Sequence, residues 1–141
     1  MAHFTEHMLF KGTQKRKAFH ILNRLDSVGG ELNAYTTKEK TSYYAITTKD
    51  YLERAFELLQ DMTLHSIFPQ SEIEKERLVI SDEIDMYADN PEESIQEEFE
   101  QLIFPGHALG APILGDKTTI ERFDSATFFR FFREKYVGGQ M

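Results

Sequence analysis

The chain contains no cysteine in its 141 residues. That excludes a disulfide framework and a thiolate metal site, so any transition metal must be held by histidine and carboxylate. It also agrees with a reducing compartment, and the cytoplasm is the expected location. No run of about eighteen apolar residues occurs, and no charged stretch leads into a short apolar one, so no membrane partner is expected. Positive charge is scarce: 16 Lys and Arg stand against 24 Asp and Glu, a formal net charge of −8. No basic stripe with interleaved aromatics offsets this balance, so nucleic acid is not an expected partner. Linkers rich in Gly, Pro or Ser, internal repeats and low-complexity tracts are also missing, which makes a single domain over residues 1–141 the default.

What is present is ordinary core material. Hydrophobic residues make up 40% and charged residues 28%, with twelve Phe and six Tyr, a composition that folds. Much of the acidic charge falls in residues 71–100 at helical spacing, the usual sign of a solvated helix face.

Periodicity divides the chain into short elements. Residues 3–10 read as a helix stopped by Lys11-Gly12-Thr13. Ala18, Phe19, Ile21, Leu22 and Leu25 form one stripe of a second helix over 16–28, closed by Gly29-Gly30. Residues 31–37 and 41–48 alternate Tyr and Thr with apolar residues around Lys38-Glu39-Lys40, the pattern of two antiparallel strands. Asp50 and Glu53 suit a capping box for a helix burying Leu52, Ala55, Phe56, Leu59 and Met62, and Ser71 with Glu74 repeats the device for a helix to about Ala88. Pro91 suits the first position of a helix over 91–103 that Pro105-Gly106 closes. Residues 105–116 read as loop, and Ser125 as the cap of an aromatic-rich helix through Tyr136. The fold class this implies is α+β, an antiparallel or mixed sheet packed against helices.

His3-Phe4-Thr5-Glu6-His7 puts two imidazoles at i and i+4, one turn apart on one helix face, a spacing that lets both approach one zinc ion. Glu6 stands one residue before the second histidine, where a carboxylate can reach an attacking water without binding the metal, the place of a general base. The pattern is H-x-x-E-H, the inverted motif of certain zinc peptidases. With five His and sixteen Glu, a shuffled chain would show it roughly 0.02 times. Zinc needs a third protein ligand, expected to be a carboxylate on another helix. The helix over 71–88 offers Glu72, Glu74, Glu76, Asp82, Glu83 and Asp85. Glu76 and Glu83 are seven apart and share a face with Ile80 between them. Burying two carboxylates is costly without a cation or hydrogen bonds, so a metal would account for an inward pair. Periodicity leaves the choice between them open.

Three blocks together resemble the pitrilysin, insulinase and mitochondrial processing peptidase family, particularly its bacterial processing-peptidase-like members. They are His3-Phe4-Thr5-Glu6-His7-Met8-Leu9-Phe10-Lys11-Gly12-Thr13, then Gly29-Gly30-Glu31-Leu32-Asn33-Ala34-Tyr35-Thr36, then Glu76-Arg77-Leu78-Val79-Ile80-x-x-Glu83-Ile84. The resemblance implies zinc as cofactor, held by His3, His7 and Glu83, since the family's third ligand follows the second His by 76 positions and that place holds Glu83. Glu76 matches the acidic residue that orients the site without binding metal. Glu6 takes the role of general base. Residues 31–37 match an edge strand that holds an extended peptide by strand addition, with Asn33 and Ala34 nearest the scissile bond. The segment His107-Ala108-Leu109-Gly110-Ala111-Pro112-Ile113-Leu114-Gly115 is similar to one that usually has Pro after the His and often Arg after the Gly. Ala108 and Ala111 depart from it, so His107 is read as structural, while His20, on the polar side of its helix, and His65, near a helix end, are read as solvent-facing or hydrogen-bonded rather than catalytic.

The implied activity is zinc-dependent hydrolysis of internal bonds in extended peptides or unfolded proteins, with neutral imidazoles required, so that it falls in acid. By the same resemblance the chain is the N-terminal catalytic half-domain, lacking the family's first and last strands. Its partner would be a homologous C-terminal domain or partner subunit that closes around the substrate. A competing reading is a non-catalytic structural or binding subunit of a processing-peptidase-like complex. Such relatives commonly have degraded motifs, whereas all four site residues are intact here.

Overall fold

The structure, a computed structural model, describes the backbone of all 141 residues and every side chain except that of Glu93. Its order is α1 (Ala2–Leu9), α2 (Ala18–Asp26), β1 (Glu31–Thr36), β2 (Thr41–Ile46), α3 (Leu52–His65), α4 (Gln70–Ala88), α5 (Pro91–Ile103), α6 (Lys117–Ile120) and α7 (Ser125–Lys135). The fold class is α+β, rich in helix, with β1 and β2 forming an antiparallel two-stranded sheet.

The core forms where α1, α3, α4 and α7 turn apolar faces to one another. Phe4, Met8 and Leu9 of α1 are at most 1% exposed. Phe4 meets the Phe128 ring edge-on at 4.9 Å, and Phe68, between α3 and α4, stacks on Phe128 at 5.5 Å. Removing one such ring would cost about 3–5 kcal/mol, transfer and cavity terms together. The helix that carries both histidines is therefore anchored by its opposite face.

Behind α1 the chain is locked by charge. Thr13 Oγ1 donates to Asp61 Oδ2 at 2.7 Å and Arg16 Nη1 to the same oxygen at 2.5 Å. Arg16 Nη2 forks onto Glu57 at 2.7 and 2.8 Å. Asp61 is 2% exposed, a buried carboxylate that two donors make tolerable. Gly29, at φ 71°, takes the left-handed turn that ends α2, and a Cβ on Gly30 would stand 3.0 Å from the Ile46 carbonyl.

Several local expectations need correction. Phe19 and Leu22 of α2 are 70% and 55% exposed, and Leu52 and Phe56 of α3 are 62% and 71% exposed. Leu58 and Asp61 take their place in the interior of α3. Asp50 lies in a 3-10 turn, Lys49–Tyr51, and caps nothing; α4 begins at Gln70, so Ser71 is already inside it. Asp124 rather than Ser125 caps α7, accepting from the Thr127 amide. The expected loop over 105–116 contains a 3-10 turn, Ala108–Gly110, and α6 follows it, capped by Asp116. Asn90 and Pro91 do open α5, as their chemistry requires. However, α5 turns Ser94, Glu97 and Glu100 toward the body, while Ile95, Phe99 and Leu102 are 60–80% exposed. Polar contacts hold it: Lys38 at the hairpin tip pairs with Glu100 at 2.9 Å, and Glu97 accepts from the Ile113 amide at 3.3 Å.

Candidate metal centre

Because α1 buries Phe4 and Met8, the other side of its turn presents His3 and His7. Their Nε2 atoms lie 3.2 Å apart, with the rings at 62° to one another. On α4 the inward stripe runs Ile73, Glu76, Ile80, and the next turn brings Glu83 over the two imidazoles. Glu83 Oε2 is 3.8 Å from His3 Nε2 and 3.7 Å from His7 Nε2. Among the described residues, these three are the group of His, Asp and Glu whose ligand atoms cluster closely enough for one ion.

The donor set fits zinc. A tetrahedral ion about 2.0–2.2 Å from each ligand atom spaces them roughly 3.3–3.6 Å apart. The separations of 3.2, 3.7 and 3.8 Å bracket that value. His7 is oriented from behind, its Nδ1 lying 2.9 Å from Glu76 Oε1, while Lys11 Nζ reaches Glu76 Oε2 at 2.5 Å. With Nδ1 donating to Glu76, the Nε2 lone pair of His7 points into the cluster. His3 Nδ1 is buried with no partner among the described residues.

Electrostatics separate the two histidines. Burial, and then the nearby His7 charge, press His3 down to about 4. Burial acts to lower His7 as well, but its hydrogen bond to Glu76 and the charges of Glu83, Glu76 and Glu6 outweigh that and raise it. Burial likewise works to raise Glu76, yet the bonds from His7 and Lys11 prevail and hold it below the usual carboxylate range. Three carboxylates around two imidazoles, with Lys11 against only one of them, make the cluster attractive to a cation.

Glu6 shares α1 with the histidines, and its Oε2 accepts a hydrogen bond from Thr36 Oγ1. Beyond it, Tyr43 and Tyr136 join their hydroxyls at 2.7 Å. Burial first, and the Glu6 charge among lesser causes, raises both phenols. Sequence reasoning did not assign Lys11, Thr36, Tyr43 or Tyr136 to the site. Lys11 and Thr36 stand inside the motif blocks, so only their roles were missed.

The two strand residues go to different places. Leu32, Ala34 and Thr36 are half-buried on the side of β1 that packs on α1, whereas Glu31, Asn33 and Tyr35 are exposed. Asn33 is thus not aimed at the cluster; its Oδ1 accepts from the Ala34 amide at 2.8 Å. Thr37 N–H bonds the Lys40 carbonyl at 2.8 Å. By antiparallel alternation the hydrogen-bonded pairs are then 35 with 42, 33 with 44 and 31 with 46. The backbone groups of Leu32, Ala34 and Thr36 point to the free edge. His107 is outside the cluster, accepting from the Leu109 amide at the start of a 3-10 turn.

The model of the insulinase family, peptidase family M16, matches residues 1–117. An uncharacterized zinc protease of Bacillus subtilis is 37% identical over 97% of this chain and 34% of its own length. One from Rickettsia felis is 40% identical over 100% of this chain and 34% of its own. Among solved structures, a protease from Helicobacter pylori superposes with a TM-score of 0.89 at 24% identity, over 96% of this chain and 33% of that one. The inactive domain of an M16 peptidase from Pseudomonas fluorescens gives 0.76 at 16% identity, over 91% and 32%. The chain thus spans about a third of the length of the relatives it matches. The family match, over most of the chain and on the helices that carry the cluster, means that this chain belongs to the insulinase family of peptidases, family M16.

Proposed function

We propose that the chain is the zinc-binding catalytic half of an endopeptidase that cleaves internal bonds of extended peptides or unfolded proteins. The observation that carries this reading is the convergence of His3 Nε2, His7 Nε2 and Glu83 Oε2 within 3.8 Å, with Glu6 on the same helix as both histidines. Zinc bound by them would act as a Lewis acid on the scissile carbonyl and the attacking water.

The chain's residues do the rest. His3, His7 and Glu83 bind, and Glu76 fixes the ring of His7. Glu6 takes the proton of the attacking water and passes it to the departing amine, so its carboxylate ends the cycle as it began. The free edge of β1 holds the peptide extended by backbone pairing at Leu32, Ala34 and Thr36, and Asn33 must release the Ala34 amide before the peptide can use it. A second, homologous domain or partner subunit would close over that edge; relatives about three times the length of this chain support this. The alternative of a non-catalytic subunit lacks comparable support, because Glu6 is present and His3, His7 and Glu83 come together as a group that could hold a metal ion.

Replacing Glu6 with Gln tests the proposal. Zinc should be retained, while hydrolysis of an unfolded protein falls about 10²–10⁴-fold. Unchanged turnover would sink the reading.

A further inference from the structure

We infer that Thr36 is a positioning residue, joining the edge on which the peptide docks to the carboxylate that takes the proton. The inference rests on the assignment of Glu6 as general base. In the register of the hairpin, Thr36 stands directly opposite Thr41. Its side chain is on the inward face of β1, and its backbone groups face the free edge. Thr36 Oγ1 donates to Glu6 Oε2 and lies 3.0 Å from Thr41 Oγ1. A hydroxyl has one proton to give, so with Thr36 committed to Glu6 the Thr41 hydroxyl must be the donor between the threonines. The result is a directed chain, Thr41 to Thr36 to Glu6, in which each bond strengthens the next.

Neither element needs this bond to form. Helix α1 is anchored by Phe4, Met8 and Leu9, and β1 by its ladder to β2. What the bond sets is the rotamer of a half-buried Glu, whose chain has three torsions to fix. One residue therefore ties the line of the docked peptide to the place of the base, which makes the distance between base and scissile bond insensitive to small shifts of the hairpin.

The test uses Thr36→Val, which keeps shape and removes the hydroxyl, and Thr36→Ser, which restores it. In the full-length enzyme, Thr36→Val should lower kcat about 10- to 100-fold, with zinc content and KM unchanged, and Thr36→Ser should recover most of it. Thr41→Val, one bond further out, should give a smaller loss of the same kind. A readout without metal comes from urea unfolding, where Thr36→Val should lower the midpoint in the parent but hardly at all in a Glu6→Ala background. An unchanged kcat in Thr36→Val, a rise in KM alone, or a Ser variant as impaired as Val overturns the inference while leaving the base assignment standing. Full turnover in Glu6→Gln overturns both.

Discussion

Nδ1 of His7 and Oε1 of Glu76 lie 2.9 Å apart, although 69 residues separate them in the chain. The contact divides two glutamates of one helix face between two tasks. Glu76, 6% exposed, takes the far nitrogen of the ring, and Glu83 faces the near one.

That division predicts different losses. Glu83→Gln should abolish stoichiometric zinc binding, whereas Glu76→Gln should retain one zinc with affinity lowered about 10- to 100-fold. Competition with a chelator of known affinity distinguishes the two. Equal losses would mean that Glu76 is itself a ligand.

The edge of β1 makes a prediction about the peptide. Ala34→Pro removes an amide that points away from β2, so the ladder survives and only pairing with a docked strand is lost. KM for an unfolded protein should rise about tenfold, roughly the worth of one hydrogen bond, with zinc content unchanged. Steady-state kinetics beside metal analysis check this, and an unchanged KM rules out strand addition at Ala34.

Acid stability should depend on Asp61. Burial acts to raise its carboxyl, but the hydrogen bonds from Thr13 and Arg16 outweigh that and hold it below its ordinary value. A depressed folded pKa contributes stability above the unfolded value of about 3.9 and loses it as pH falls through the folded value. Asp61→Asn should therefore cost about 1.5–3 kcal/mol at pH 7, the worth of its charged hydrogen bonds, with Arg16 keeping its pairing to Glu57. The gap to the parent should narrow below about pH 4. Urea unfolding at pH 7 and pH 3 measures it, and a gap that stays constant refutes the assignment.

Local periodicity found α1 because a spacing of four needs only a helix, although α1 runs from Ala2 to Leu9, one residue earlier at each end than the expected 3–10. The same rule misplaced Leu52 and Phe56: it tells which residues share a face, not whether that face is covered. In α5 the apolar face is the one turned outward, since the nearby Lys38 and the Ile113 amide offer partners to Glu100 and Glu97. Caps slipped for a related reason. Asp124 displaces Ser125 because the N-cap is set by where the incoming backbone leaves the extended region, which a one-residue shift in the loop decides.

By itself the sequence determined the composition of the candidate cluster: histidines four apart, a glutamate between them, and two glutamates seven apart on a second helix. Those spacings are short-range and follow from the pitch of a helix. Which glutamate meets which nitrogen was beyond periodicity and came from resemblance, because it depends on how α4 crosses α1 under the packing of Ile73, Ile80, Phe4 and Phe128. Only the tertiary structure decided that Lys11 shares Glu76 with His7 and that Thr36 takes hold of Glu6. Those contacts join residues 30 or more positions apart, and chain order carries no term for them until the core has fixed how the helices and the hairpin face one another.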